Sequence, residues 1–167
     1  MTSRFGEIHS FQTVATRLTA PYGPMERVTG HRANQSVLKE LTRRVVCGEP
    51  IVVGDRSQCS DFAYVADIAN GICSVLDAPS PSHFAYNVST GRWLTLGDII
   101  DAIKESRPDV QVVEAIPGDD GEISLETSRP RLDVSRLRDD IGFTAEYDLS
   151  AGLNTYLQWR EENGFRD

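Results

Sequence analysis

At 167 residues with 40% hydrophobic content, the chain can bury one core, and its length demands no second independent domain. A net charge of -8 and a sequence pI near 4.9 argue against a nucleic-acid partner, because phosphate binding needs clustered lysine and arginine in excess. No stretch approaches the ~20 apolar residues that span a bilayer and no signal-like N-terminus is present, so the expectation is a cytoplasmic protein with no membrane partner.

The first ten residues read as the last turns of a helix whose beginning lies upstream. Residues 11–18 are rich in β-formers and run into Pro21, Gly23 and Pro24, which suits a strand ending in a loop. Over 33–46, Val37, Leu38, Leu41, Val45 and Val46 follow helical spacing, and Gly48 is placed to end the helix. Residues 51–53 are a short buried strand candidate, and Phe62 and Tyr64 alternate as a strand does. Val65, Ile68, Ala69, Ile72, Val75 and Leu76 restart the helical period as far as Pro79, and 84–88 forms the next strand. Thr95 and Asp98 have capping-box spacing ahead of the face Leu96, Ile99, Ile100 and Ile103, and Pro108 stops that helix. A strand over 110–116, a polar loop over 117–130, a short helix over 135–141 ended by Gly142, and a final helix capped by Asp148 complete the chain. Strands alternate with helices almost throughout, which predicts an α/β protein.

Few residues carry independent chemistry. Cys47, Cys59 and Cys73 have neither metal-knuckle spacing nor an even count, and are expected as buried thiols in a reducing compartment. His9, His31 and His83 are scattered and lack patterned acidic neighbours, so no metal site is expected. The acidic stretch 119–122 reads as a solvated loop. The chain has two lysines, Lys39 and Lys104, against fifteen arginines, and neither lysine follows a tyrosine by four residues. No glycine-rich turn joins a strand to a helix in the manner that brings backbone amides to a pyrophosphate.

Arg17, Tyr22, Gly23 and Pro24 resemble the end of the strand that follows the catalytic helix in the extended short-chain dehydrogenase/reductases, the epimerase/dehydratase family. Gly54, Asp61, Phe62, Val65 and Asp67 are similar to that family's later glycine, Arg-Asp-Phe and Val-x-Asp pattern. Tyr86, Asn87 and Val88 resemble its Tyr-Asn-Val strand. Asp133, Ser135, Ile141, Gly142, Phe143, Gly152, Leu153 and Trp159 are similar to its C-terminal signature. The resemblance covers nearly the whole chain but only the C-terminal half of the family. It implies the C-terminal part of a Rossmann-type doubly wound fold plus a small substrate-binding α/β region. Residues 1–30 would end the dinucleotide-binding domain, and 31–167 would be mainly substrate-binding, with some elements returning to the Rossmann sheet.

The same resemblance implies that Thr19, Ala20 and Pro21 lie against the nicotinamide of NAD or NADP. It places Tyr22, Asn34, Ser36, Val37, Arg56, Ser60, Arg129 and Arg131 against substrate, and gives Asp61, Asp67 and Asn87 structural roles in loop hydrogen bonds and at a helix N-terminus. Two positions depart from the family. Ala20 replaces an asparagine, and Ser60 replaces an arginine that grips the diphosphate of a nucleotide sugar. Arg56 could swing in as a substitute cation or be a solvated loop residue; Arg129 and Arg131 could meet an anionic substrate group or form structural ion pairs. The expected function is the substrate-binding portion of an NAD(P)-dependent sugar or nucleotide-sugar epimerase/dehydratase. The missing N-terminal half would supply the glycine-rich loop and the Tyr-x-x-x-Lys pair, so the chain alone is expected to be inactive, to bind no dinucleotide tightly, and to form a homo-oligomer. The alternative is a non-catalytic sugar-binding or assembly module.

Overall fold

The computed structural model describes residues 2–27, 36–116, 121–125 and 130–165. Helix α1, Thr2–His9, ends where Ser10 takes a positive φ and the Phe11 N–H returns to the Gly6 carbonyl. Phe11 then packs edge-on against Phe5, so strand β1 is Ala15–Leu18 rather than the longer 11–18. Strand β2, Ala20–Tyr22, lies in the stretch expected as loop. It has one strand neighbour among the described residues, so Pro21, which lacks an N–H, can be accommodated there.

Helix α2, Val37–Cys47, starts at Ser36, whose Oγ accepts the Lys39 N–H at 3.1 Å, and ends at Gly48 with φ 69°. The expected start at 33–35 lies outside the described residues. Strand β3 is Ile51–Val53, β4 Cys59–Ser60 and β5 Phe62–Tyr64, which passes directly into helix α3, Val65–Asp77. Strand β6, Ala85–Val88, leads to β7, Leu94–Thr95, and helix α4, Leu96–Ser106, begins on the anticipated capping box of Thr95 and Asp98. Strand β8 is Val112–Glu114. A π-helical turn over Leu137–Ile141 ends at Gly142, and helix α5, Leu149–Glu162, is capped by Asp148.

Three strand pairs are parallel: β1 with β6, β2 with β5, and β3 with β8. Parallel neighbours require crossovers, and helices occupy most of these, as in an α/β fold. The antiparallel pair β4–β7 is two residues per strand, too short for a periodicity to announce. Ile123, inside the stretch expected as a polar loop, bridges to Val53 and is buried.

Two clusters of buried side chains result. The larger joins α2, α4 and α5 around β3, with Leu38, Leu41, Ile51, Leu96, Ile99, Ile100, Ile103 and Leu153 wholly inaccessible. The smaller joins β6, α3 and the π turn through Ile68, Val75, Tyr86, Val88 and Leu137. Outside them, Phe5, Ile8, Phe11, Leu18 and Phe84 remain exposed around α1 and the β1–β6 pair. The thiols also differ from expectation. Cys47 and Cys59 are half-buried and Cys73 is exposed, because Cys73 falls on the face of α3 opposite Ile68 and Val75.

Gly152 lies on α5 against the Tyr22 hydroxyl, where an added Cβ would collide. Gly152→Ala should therefore cost about 1–3 kcal/mol in denaturant unfolding, and adding Tyr22→Phe, which removes the obstructing oxygen, should recover most of it. The Thr95 hydroxyl and N–H hold the Asp98 carboxyl below the usual carboxylate range. A lowered folded pKa contributes stability that is present above the unfolded value and is lost as pH falls through the folded one. Melting temperatures should drop below about pH 4, and Asp98→Asn should flatten part of that drop.

Candidate functional site

In α/β sheets ligands gather outside the carboxyl ends of parallel strands. At that end of β1 and β6 stands Asp61, whose side chain is 0% exposed. One carboxylate oxygen accepts the Ser89 hydroxyl and the other the Leu132 N–H at 3.0 Å, while the Asp61 carbonyl accepts the Thr19 hydroxyl. Three chain segments are thereby tied to one residue: the end of β1, the turn after β6, and the stretch leading to the π turn. Asp67, buried at the start of α3, accepts the Glu146 and Tyr147 N–H groups at 2.9 and 3.0 Å and so fixes the approach to α5. Asn87 donates to the Asp133 carbonyl at 2.7 Å. These are loop-holding bonds, the type anticipated for all three residues.

The turn after β6 and the segment approaching α5 enclose a cleft of about 460 Å³, whose walls include Ser89, Thr90, Arg92, Phe143, Tyr147 and Asp148. A smaller cavity adjoins it, sharing Thr90, Arg92, Tyr147 and Asp148 and reaching Tyr22, Phe62 and Tyr64. The Tyr64 and Tyr147 rings lie 4.6 Å apart, giving this region an aromatic floor. Burial and the neighbouring Tyr147 and Tyr156 raise the Tyr64 pKa, so its phenol stays neutral. Ser89, Thr90, Arg92 and Tyr147 were not among the expected site residues. The signal available was position alone: Ser89 to Arg92 begin directly at the carboxyl end of a parallel strand.

The expected residues fall into separate places. Thr19, Ser60 and Arg131 are gathered about Asp61, Thr19 by its hydroxyl and the other two by chain adjacency to Asp61 and Leu132; Thr19 and Ser60 are buried and Arg131 is exposed. Ala20 and Pro21 lie in β2 beside Phe62 and Ala63. Tyr22 is 4% exposed, edge-on to Tyr64, and burial raises its pKa strongly, so it is a neutral core ring at the base of the smaller cavity. Ser36 and Val37 stand together at the start of α2, with the Ser36 hydroxyl donating to Glu26 at 2.7 Å. Arg56 points away to Asp101 on α4, at 3.0 Å. Asn34 and Arg129 lie outside the described residues.

Among the described residues no group of three His, Cys, Asp or Glu side chains could hold a metal ion. Nor, among them, does a glycine-rich turn join a strand to a helix, and the Thr19 hydroxyl is already bonded to Asp61. The positions expected beside a nicotinamide, Thr19, Ala20 and Pro21, fall directly after β1 and in β2.

Residues 1–89 match the NAD dependent epimerase/dehydratase family. The chain belongs to that family. Its sequence is 22% identical over 162 residues to a putative UDP-glucose 4-epimerase of Methanocaldococcus jannaschii, covering 95% of this chain and 49% of that protein. It is 24% identical to the dTDP-glucose 4,6-dehydratase of Xanthomonas campestris, covering 93% and 44%. The Bordetella bronchiseptica enzyme WbmF in complex with NADH superposes with a TM-score of 0.78 at 22% identity, over 97% of this chain and 49% of that one. UDP-glucose 4-epimerase of Thermotoga maritima, solved with UDP-glucose, gives 0.72 at 20%, over 96% and 50%. This epimerase/dehydratase chain thus spans about half the length of the relatives it matches. As in those structures, its fold is of the Rossmann type.

Asp61→Asn tests the central tie. One carboxylate oxygen would become an NH₂ group facing either the Ser89 hydroxyl or the Leu132 N–H, and the unmet donor should cost about 1–3 kcal/mol in denaturant unfolding. Proteolysis should then open first near Leu132; unchanged stability and cleavage would show that Asp61 holds nothing together.

Proposed function

We propose that the chain is the substrate-binding portion of an NAD(P)-dependent nucleotide-sugar epimerase or dehydratase. The observation that carries this reading is the cleft at the carboxyl end of β6, walled by Arg92 and Tyr147 and anchored through Asp61 and Asp67. Its chemistry suits a phosphorylated sugar: a guanidinium for an anionic oxygen, hydroxyls and carboxylates for sugar hydroxyls, and aromatic faces for a ring. The relatives named for UDP-glucose and dTDP-glucose support the substrate class.

On this reading residues 1–30 end a dinucleotide-binding domain and 31–167 mainly bind substrate. NAD or NADP is held by polypeptide corresponding to the other half of the relatives, and so are the general base and its lysine. This chain contributes walls and positioning. The exposed apolar side chains around β1 support docking of that half, and in its absence association of the chain with itself into a homo-oligomer. No described helix is long and apolar enough to cross a membrane, and three widely spaced cysteines, an odd number that makes no even disulfide framework, support a cytoplasmic location.

Calorimetric titration of the chain with UDP-glucose, dTDP-glucose and NAD tests the reading. A sugar nucleotide should bind in the submillimolar range and NAD no more tightly than millimolar. Micromolar NAD affinity, or turnover of UDP-glucose with NAD by the chain alone, would overturn it. Light scattering should show an oligomer, or a monomer that binds an apolar dye.

A further inference from the structure

By the resemblance described above, Ser60 stands where a diphosphate-gripping arginine is usual, and its buried hydroxyl brings no charge to the site. The first candidate for a replacement, Arg56, is turned to Asp101 on α4. Of the two arginines lining the cleft, Arg138 is held by Asp139 at 2.7 Å. Arg92 is left, exposed and without a carboxylate partner among the described residues.

Its placement follows from the strands. In the β4–β7 ladder Leu94 lies opposite Ser60, and the Thr90 hydroxyl donates to the Phe62 carbonyl at 3.3 Å, so the segment between β6 and β7 that carries Arg92 is held beside residues 60–62 at both ends. Arg92 is therefore two residues from Leu94, the ladder partner of Ser60. Thr90, Arg92 and Leu94 line the same small cavity as Phe62 and Tyr64, and Arg92 borders the larger cleft as well. Two carboxylates share the larger cleft. Asp148 accepts the Ala151 N–H as the cap of α5, and Glu146 is exposed at the rim.

We propose that Arg92 supplies the anionic contact that Ser60 cannot make, gripping a phosphate oxygen of the sugar nucleotide from the turn between β6 and β7. The assignment rests on the nucleotide-sugar reading above and makes Arg92 a specificity-determining residue. A guanidinium moved from β4 to the turn after β6 draws the diphosphate toward the Tyr147 side of the cleft, so the chain selects ligands whose phosphates can follow that course.

The test is calorimetry at low salt with UDP, and with inorganic pyrophosphate as the arm lacking a base. Arg92→Ala should weaken both by about tenfold or more, and Arg92→Lys, which keeps the charge but not the fork, should fall between. Lys104→Ala, an exposed change on α4, should stay within about twofold. Wild-type binding of UDP that Arg92→Ala leaves unchanged, or that Arg56→Ala abolishes instead, would overturn the role of Arg92 alone. A wild-type chain that binds neither UDP nor UDP-glucose would overturn the nucleotide-sugar reading, and this inference with it.

Discussion

A carboxylate removed from water must be met by donors, and Asp61 meets this demand by drawing in groups from distant parts of the chain. Thr19, Ser89 and Leu132 all bond to it, through its carbonyl or its carboxylate oxygens. The end of β1, the turn after β6 and the approach to the π turn are thus held at one point. Because the alternative is an unsatisfied charge in the interior, the tie is strict about geometry, and the cleft it borders inherits that rigidity. Asp67 repeats the device at the start of α3, where it holds the opposite wall through the Glu146 and Tyr147 N–H groups.

Strand β5 joins the two clusters of buried side chains. Asp61 sits between β4 and β5, and β5 contributes Phe62 and Tyr64 to the larger cluster but Ala63 to the smaller. Alternation along three residues of one strand therefore binds the helical bundle of α2, α4 and α5 to the β1–β6 pair. Among the described residues that pair has no further hydrogen-bonded strand on either side, and Phe11, Leu18 and Phe84 remain exposed beside it. An uncovered parallel edge with apolar neighbours is what half of a doubly wound sheet presents.

Tertiary packing decides the surroundings of two residues that the family likeness singled out. Arg56, the sequence candidate for a substitute cation, belongs to an exposed ion pair on α4, whereas Arg92 stands on the cleft wall. Tyr22 is largely buried, its hydroxyl against Gly152 of α5 and its ring at the base of the smaller cavity. Both placements arise from packing across strands and helices far apart in the chain.

The α/β alternation, the long helices α2, α3, α4 and α5, and the caps at Thr95 and Asp148 were legible in the sequence, because helical periodicity and capping are local properties carried by residues a few positions apart. The motif residues Asp61, Asp67 and Asn87 were legible too, as holders of loops. The short strands β2, β4 and β7 were not, since Pro21 and the following Gly23 and Pro24 make β2 read as loop and two residues each leave β4 and β7 no period, nor was the burial of Ile123 in a polar stretch. The union of Ser89, Arg92 and Tyr147 into one cleft depends on hydrogen bonds to Asp61 and Asp67 from residues as many as 80 positions away along the chain. Sequence by itself determined which segments become helices and to which family they belong. Only the tertiary structure decided which polar side chains share a space, because buried carboxylates choose their donors by proximity in the fold and not by spacing in the chain.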